Sequence, residues 1–161
     1  MKFYWMALSA LLALSGCSQK GAFDLFRMDE NHERAVEQLR TGTIIQSFET
    51  KAIFSTLYLN PIYPEKYKGG EYFIGAIYFE RDNIDNRKWD FNTYGYTINM
   101  NGQKATVFEE LKPNDPRRAL IPIQNNWNRY YLIRFDSTAA TSLVLKLENN
   151  QTGSVSLNYQ K

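Results

Sequence analysis

Apolar and polar residues alternate along much of the chain after residue 43. Tyr94, Tyr96, Ile98 and Met100 are interleaved with Gly95, Thr97 and Asn99, the period of a strand with one face buried. Asn101-Gly102 follows and leads into residues 104–111. Asn-Gly supplies the two positive φ angles of a type I′ turn, so a hairpin is predicted here. Residues 129–135, 142–148 and 154–159 alternate in the same way, the last two joined across residues 149–153. Residues 71–80 are apolar on both sides, with Phe73, Ile77 and Phe79 on one and Tyr72, Ile74, Ala76 and Tyr78 on the other. That is the pattern of a central strand. Residues 43–59 are rich in Ile, Phe, Thr, Leu and Tyr without one continuous alternation, which predicts a bulged long strand or two strands meeting near residues 49–52. Asn60-Pro61 and Pro64 force a loop that ends at Gly69-Gly70. Residues 113–116 read as a turn, and residues 119–123 as a short strand that Pro122 confines to an edge.

One stretch has the other period. Leu25, Met28, His32, Val36 and Leu39 recur every three or four residues, predicting an amphipathic helix over residues 23–40. Glu30 and Arg34 are spaced as an i,i+4 ion pair, and Thr41-Gly42 supplies a stop. About eight short strands behind one helix predict a mainly β chain. The expected architecture is an antiparallel β-sandwich of immunoglobulin-like form over residues 43–161, packed with a helix at 23–41. A small β-barrel is the alternative.

Composition changes the picture in two ways. Eleven Tyr, ten Phe and three Trp make 15% of the chain, a load suited to half-buried sheet surfaces. The net charge is only +2, so there is no electrostatic footprint for nucleic acid.

The N-terminus has a separate logic. Lys2 precedes an apolar run over residues 3–14, and Ser15, Gly16 and Cys17 follow, the layout of an export signal. A run of 12 residues is short of the roughly 20 that cross a bilayer. Leu14-Ser15-Gly16-Cys17 resembles the lipobox of bacterial lipoproteins. The resemblance implies removal of residues 1–16, diacylglyceration of Cys17, and a lipidated tether over residues 17–22. Ser18, in place of the aspartate that commonly retains such proteins in the inner membrane, implies the outer membrane. Two or three acyl chains on one residue anchor far more firmly than a single chain. Cys17 is the sole cysteine, so lipidation leaves none for a disulfide.

Candidate chemistry is sparse. With one histidine, His32, and one cysteine, a Ser-His-Asp or Cys-His arrangement or a His/Cys zinc site has too few members. His32 is read as a packed residue on the helix's apolar face. Glu109 and Glu110 are adjacent on a strand and point to opposite faces, a poor placement for paired carboxylates. Asp82, Asp85 and Asp90 share one loop but lack the EF-hand glycine and distal glutamate. No cofactor and no metal is expected. Aromatic residues in polar stretches are the better lead: Tyr63 and Tyr67, with Lys66 and Lys68 beside them, together with Trp89 and Trp127, are candidate contacts for a ligand or partner. Arg117-Arg118 could meet an anion. Glu148-Asn149-Asn150-Gln151-Thr152 resembles the acidic-x-Asn-x-Ser/Thr acceptor of bacterial N-glycosylation systems, which marks Asn150. The expectation is a non-enzymatic, lipid-anchored module that docks an envelope protein near the membrane. A receptor for a sugar, peptide or cell-wall ligand comes second, and a carboxylate-based hydrolase third.

Overall fold

The computed structural model describes residues 30–80, 91 and 95–161. Helix α1 (Glu30–Gln38) runs directly into β1 (Leu39–Gln46), which turns back as β2 (Glu49–Tyr58). Then come β3 (Glu71–Phe79), β4 (Tyr96–Met100), β5 (Gln103–Lys104) and β6 (Val107–Glu110). A 3-10 turn (Pro116–Leu120) precedes β7 (Arg129–Phe135), β8 (Ser142–Asn149) and β9 (Gly153–Gln160). All pairings are antiparallel, in a five-stranded sheet of order β1-β2-β3-β7-β6 and a four-stranded sheet of order β5-β4-β8-β9. The order β2-β3-β7-β6 against β5-β4-β8-β9 is that of strands A-B-E-D against C′-C-F-G in an immunoglobulin-like sandwich, with β1 added outside. Among the described strands no ladder joins the two sheets, so the barrel alternative does not hold.

The alternating residues meet between the sheets as expected. Phe54, Phe73, Ile77, Ile133 and Phe135 from one sheet bury against Met100, Leu143, Leu145, Leu147 and Tyr159 from the other. Full burial of such side chains contributes about 1.5–3 kcal/mol each. The Phe73 ring makes edge contacts with Phe135 and Tyr159 at 6.0 and 5.3 Å. The outer face of the five-stranded sheet carries a second core, in which Leu57, Ile74, Ala76 and Tyr130 are covered by Ala35 of α1, Leu59, Ile62 and Tyr67 of the β2–β3 loop, and Leu111 and Ile121. This explains why β3 reads apolar on both sides.

Five sequence expectations need correction. The helix ends at Gln38, and residues 39–46 pair with β2 instead of capping it. Its buried residue is Ala35, while His32 is exposed and Val36 is 49% exposed, so the packed face lies one position away from the predicted one. Residues 23–29 lie outside the described residues. Gly42 is a close-approach residue and not a helix stop: a Cβ there would come within 2.3 Å of Val155 Cγ2 on β9.

The Asn101-Gly102 turn forms with φ of 50° and 81°, but its second strand ends at Lys104. The chain then crosses to the other sheet as β6, where the Thr106 and Leu111 N–H groups donate to Arg134 O and Tyr130 O. Residues 119–123 are not a strand. Pro116 opens a 3-10 turn capped by Asp115, which a proline at the first turn favours. Residues 43–59 resolve into two strands joined through Ser47-Phe48, whose φ angles of 52° and 66° are both positive.

Candidate functional site

The described residues do not cover the outer face of the five-stranded sheet everywhere. Toward the β1–β2 turn, Thr41 of β1, Ile53 and Ser55 of β2 and Tyr78 of β3 floor an open groove of about 610 Å³. Strand alternation puts these four on the outer face, since Phe54 and Ile77 beside them point into the sandwich core. The wall comes from the segment before β7: Ile123, Asn125, Trp127 and Asn128.

That segment is held by its own side chains. The Asn125 Oδ1 accepts from the backbone N–H groups of Trp127 and Asn128, at 3.2 and 2.8 Å, closing an Asx turn. The Asn125 N–H donates to the hydroxyl of Tyr130 at 2.9 Å, and that hydroxyl lies 3.1 Å from the Ile123 carbonyl. Gln124 Nε2 donates to the carbonyls of Arg118 and Ile121. Tyr130 is 1% exposed and the Arg118 guanidinium lies 4.0 Å over its ring, so the anchor beneath the loop is rigid. Trp127 therefore stands on a fixed turn, yet 67% of it is exposed.

Among the described residues, the eight that line the groove are all uncharged. The groove offers two aromatic rings, two isoleucines, the mutually bonded hydroxyls of Thr41 and Ser55 (2.9 Å), and the amides of Asn125 and Asn128. Such a surface binds by apolar contact and neutral hydrogen bonds.

The other candidates are dispersed. Tyr67 is buried in the outer core, its ring 5.1 Å from Tyr72 and 6.3 Å from Tyr63, so it packs and is not offered to a ligand. Tyr63 is partly buried beside it, Lys66 lies over the Tyr67 ring at 5.4 Å, and Lys68 pairs with Glu65. This loop joins β2 to β3 and belongs to the end of the sandwich opposite the groove. Trp89, Asp82, Asp85, Asp90 and Cys17 lie outside the described residues. Asn150 is exposed in the β8–β9 turn, where Asn149 Oδ1 accepts from the N–H groups of Gln151 and Thr152.

The charged candidates are engaged with one another. Glu109 and Glu110 diverge as expected, Glu109 to Arg117 and Glu110 to Arg129. Arg117 also holds Asp115, whose carboxyl it pulls down to about 2, and it lowers Glu109 in the same way. The Arg117-Arg118 pair is neither open to an anion nor simply solvated: Arg117 lies between two carboxylates and Arg118 on Tyr130.

Ile53, Tyr78, Ile123 and Asn125 escaped the sequence reading because three of them look like ordinary core residues. The Asn-Asn-Trp-Asn run at 125–128 carried the one legible signal, an Asx-capable residue two positions before an aromatic. No family model, no curated protein and no solved structure matches this chain.

Proposed function

We propose that this chain is a lipid-anchored lipoprotein of the bacterial envelope, outer-membrane facing by its Ser18, whose sandwich docks a protein partner through the Trp127 groove and catalyses no reaction. The observation that carries the docking reading is Trp127, held out over an uncharged apolar groove by an Asx turn. Exposed aromatics on rigid supports, surrounded by neutral contacts, are what protein-binding hot spots are built from. The anchor rests on Leu14-Ser15-Gly16-Cys17.

Two experiments test the two halves. Palmitate labelling of the wild-type chain, lost in Cys17→Ala, supports the anchor; equal labelling removes it. Crosslinking in cells should return one stoichiometric partner that Trp127→Ala loses, while Glu65→Ala at the other end of the sandwich retains it.

The groove also favours a second reading. Its volume lies within the roughly 300–1,000 Å³ of small-ligand sites, and its hydroxyl and amide groups beside Trp127 and Tyr78 suit a neutral sugar or peptide of the cell wall. Saturable quenching of tryptophan fluorescence by chito-oligosaccharide, absent in Trp127→Ala, would select that reading over a protein partner.

A further inference from the structure

We propose that the β1–β2 turn is a second membrane contact, in which Phe48, with Ile45 behind it, inserts at the boundary between headgroups and acyl chains of the bilayer that anchors the chain. The inference rests on the lipid anchor read at Cys17 and is independent of what fills the groove.

The turn is the most unusual backbone among the described residues. Ser47 and Phe48 both have positive φ, 52° and 66°. A two-residue hairpin of this geometry calls for Asn-Gly, and this same chain uses Asn101-Gly102 at β4–β5. A ring-bearing residue in the left-handed region is a genuine outlier. Such strain persists where it serves something other than the fold. Packing does not account for it, because Phe48 is fully exposed, at 104%.

The surroundings fit a bilayer better than a protein pocket. Phe48 caps a convex tip, and Ile45, 64% exposed, follows it on the outer face of β1. Gln46 ties the tip to the neighbouring β8–β9 turn, its Nε2 donating to the Gln151 carbonyl at 2.8 Å. Gln46, Ser47 and Gln151 at the tip are uncharged hydrogen-bonding groups suited to the headgroup layer, and Glu49 follows the ring on β2. The nearest charges are paired, with one lysine, Lys51, held 2.6 Å from two glutamates, Glu49 and Glu80, which leaves a single uncompensated negative charge at the base of the turn. A protein hot spot has the reverse arrangement, an aromatic in the middle of a well-packed patch.

One Phe and one Ile hold a membrane weakly by themselves. The acyl anchor makes their insertion intramolecular and so raises the effective concentration of bilayer at the tip. The 13 residues from Cys17 to Glu30 span at most about 45 Å, more than the roughly 26 Å length of β1, so the anchored chain can bring the tip to the surface.

The test uses the full chain, purified with its anchor and reconstituted into dioleoylphosphatidylcholine vesicles, with photoreactive p-benzoylphenylalanine in place of Phe48. Irradiation should add the mass of one phospholipid at position 48. The same analogue in place of Glu65, exposed at the other end of the sandwich, should add none. Melting curves show that each variant is folded. Floating, folded protein with no lipid adduct at 48, or equal adducts at 48 and 65, overturns the proposal. So does irradiation of whole cells that yields a protein adduct at 48 and no lipid adduct. Protein that fails to float and carries an unmodified Cys17 overturns the anchor reading and this inference with it, and the mass of Cys17 separates that outcome from the others.

Discussion

Replacing Glu71 by alanine should cost the fold far more than its position at a strand end suggests. Glu71 opens β3 with only 4% of its side chain exposed, the one buried carboxylate among the described residues. Its Oε2 accepts from the Tyr58 hydroxyl at 2.6 Å, and its Oε1 from Lys161 Nζ at 2.5 Å and the Thr138 N–H at 3.3 Å. Glu71→Ala strands the Tyr58 hydroxyl in a site where that residue is 3% exposed, and an unmet buried donor costs about 1–3 kcal/mol. Lys161 is 27% exposed and retains the Thr138 carbonyl, so it can turn toward water. Its loss therefore adds less than the roughly 3–5 kcal/mol of breaking a fully buried pair. The two effects together come to about 3 kcal/mol, which lowers the melting temperature of a domain this size by roughly 10 °C. Glu71→Gln keeps an acceptor for Tyr58 but loses the charge and sets its amide NH2 against Lys161 Nζ and the Thr138 N–H, so it should cost about 1–2 kcal/mol, less than Glu71→Ala.

The same site fixes a pH dependence. Burial pushes the Glu71 carboxyl up, but the Lys161 ammonium, the Tyr58 hydroxyl and the Thr138 N–H together outweigh it and hold the carboxyl below its ordinary range. A depressed carboxylate stabilises the fold above its unfolded pKa, and that stabilisation is lost as pH falls through the lower native value. The advantage of wild type over Glu71→Gln should therefore be full at neutral pH and vanish in acid. Urea unfolding followed by circular dichroism, at neutral and acidic pH, measures both quantities. A Glu71→Ala cost below about 1 kcal/mol, or a wild-type advantage over Glu71→Gln that grows in acid, would refute the reasoning.

Three further substitutions separate packing, strain and recognition. Phe48→Gly removes a left-handed penalty of about 1–2 kcal/mol, partly offset by glycine's extra chain entropy; thermal melting should show a net gain, and a loss would contradict the strained turn. Gly42→Ala forces a Cβ to within 2.3 Å of Val155 Cγ2 and 3.1 Å of Leu157, an overpacking worth about 1–3 kcal/mol; adding Val155→Ala should recover part of it. Trp127→Ala should shift stability by no more than about 0.5 kcal/mol, because most of the side chain is exposed, while abolishing the partner crosslink.

The sequence showed strands where alternation was clean and one face met the core. Residues 129–135, 142–148 and 154–159 fall within a residue or so of β7, β8 and β9, and the double-sided run at 71–80 is β3. What it did not show depends on where chain segments cross between layers. Ala105 and Thr106 look like the middle of one strand, yet they carry the chain from one sheet to the other, because Thr106 bonds Arg134 instead of extending the β4–β5 ladder. Ser47-Phe48 lacks glycine and asparagine, so no local rule marks it as a turn. The helix face shifted by one position because Ala35, a small residue, fits against the sheet more closely than His32 or Val36. Of the proposed contacts, Trp127 was legible because a large aromatic sits among asparagines, whereas Tyr67 looked equally polar in context and is buried by a loop folding back on the sheet.

On the proposed reading, the two ends of the sandwich divide stability from recognition. At the end that holds the start of β1 and β3 and the end of β9, the chain closes with the buried Glu71, Tyr58 and Lys161 network and with the Tyr63–Tyr67–Tyr72 cluster over the outer sheet face. At the other end sit the residues whose exposure or backbone costs the fold something: Phe48 in a left-handed turn, Ile45 without cover, Trp127 raised on an Asx turn. In an immunoglobulin-like sandwich the B–C, D–E and F–G loops share one end, here the connections β3–β4, β6–β7 and β8–β9. Loops can vary there without disturbing the core between the sheets. If Phe48 and Trp127 served the fold, their truncation would destabilise it as Glu71→Ala does. The exposure of both argues the opposite, so the loop end is where substitutions should alter binding and spare stability.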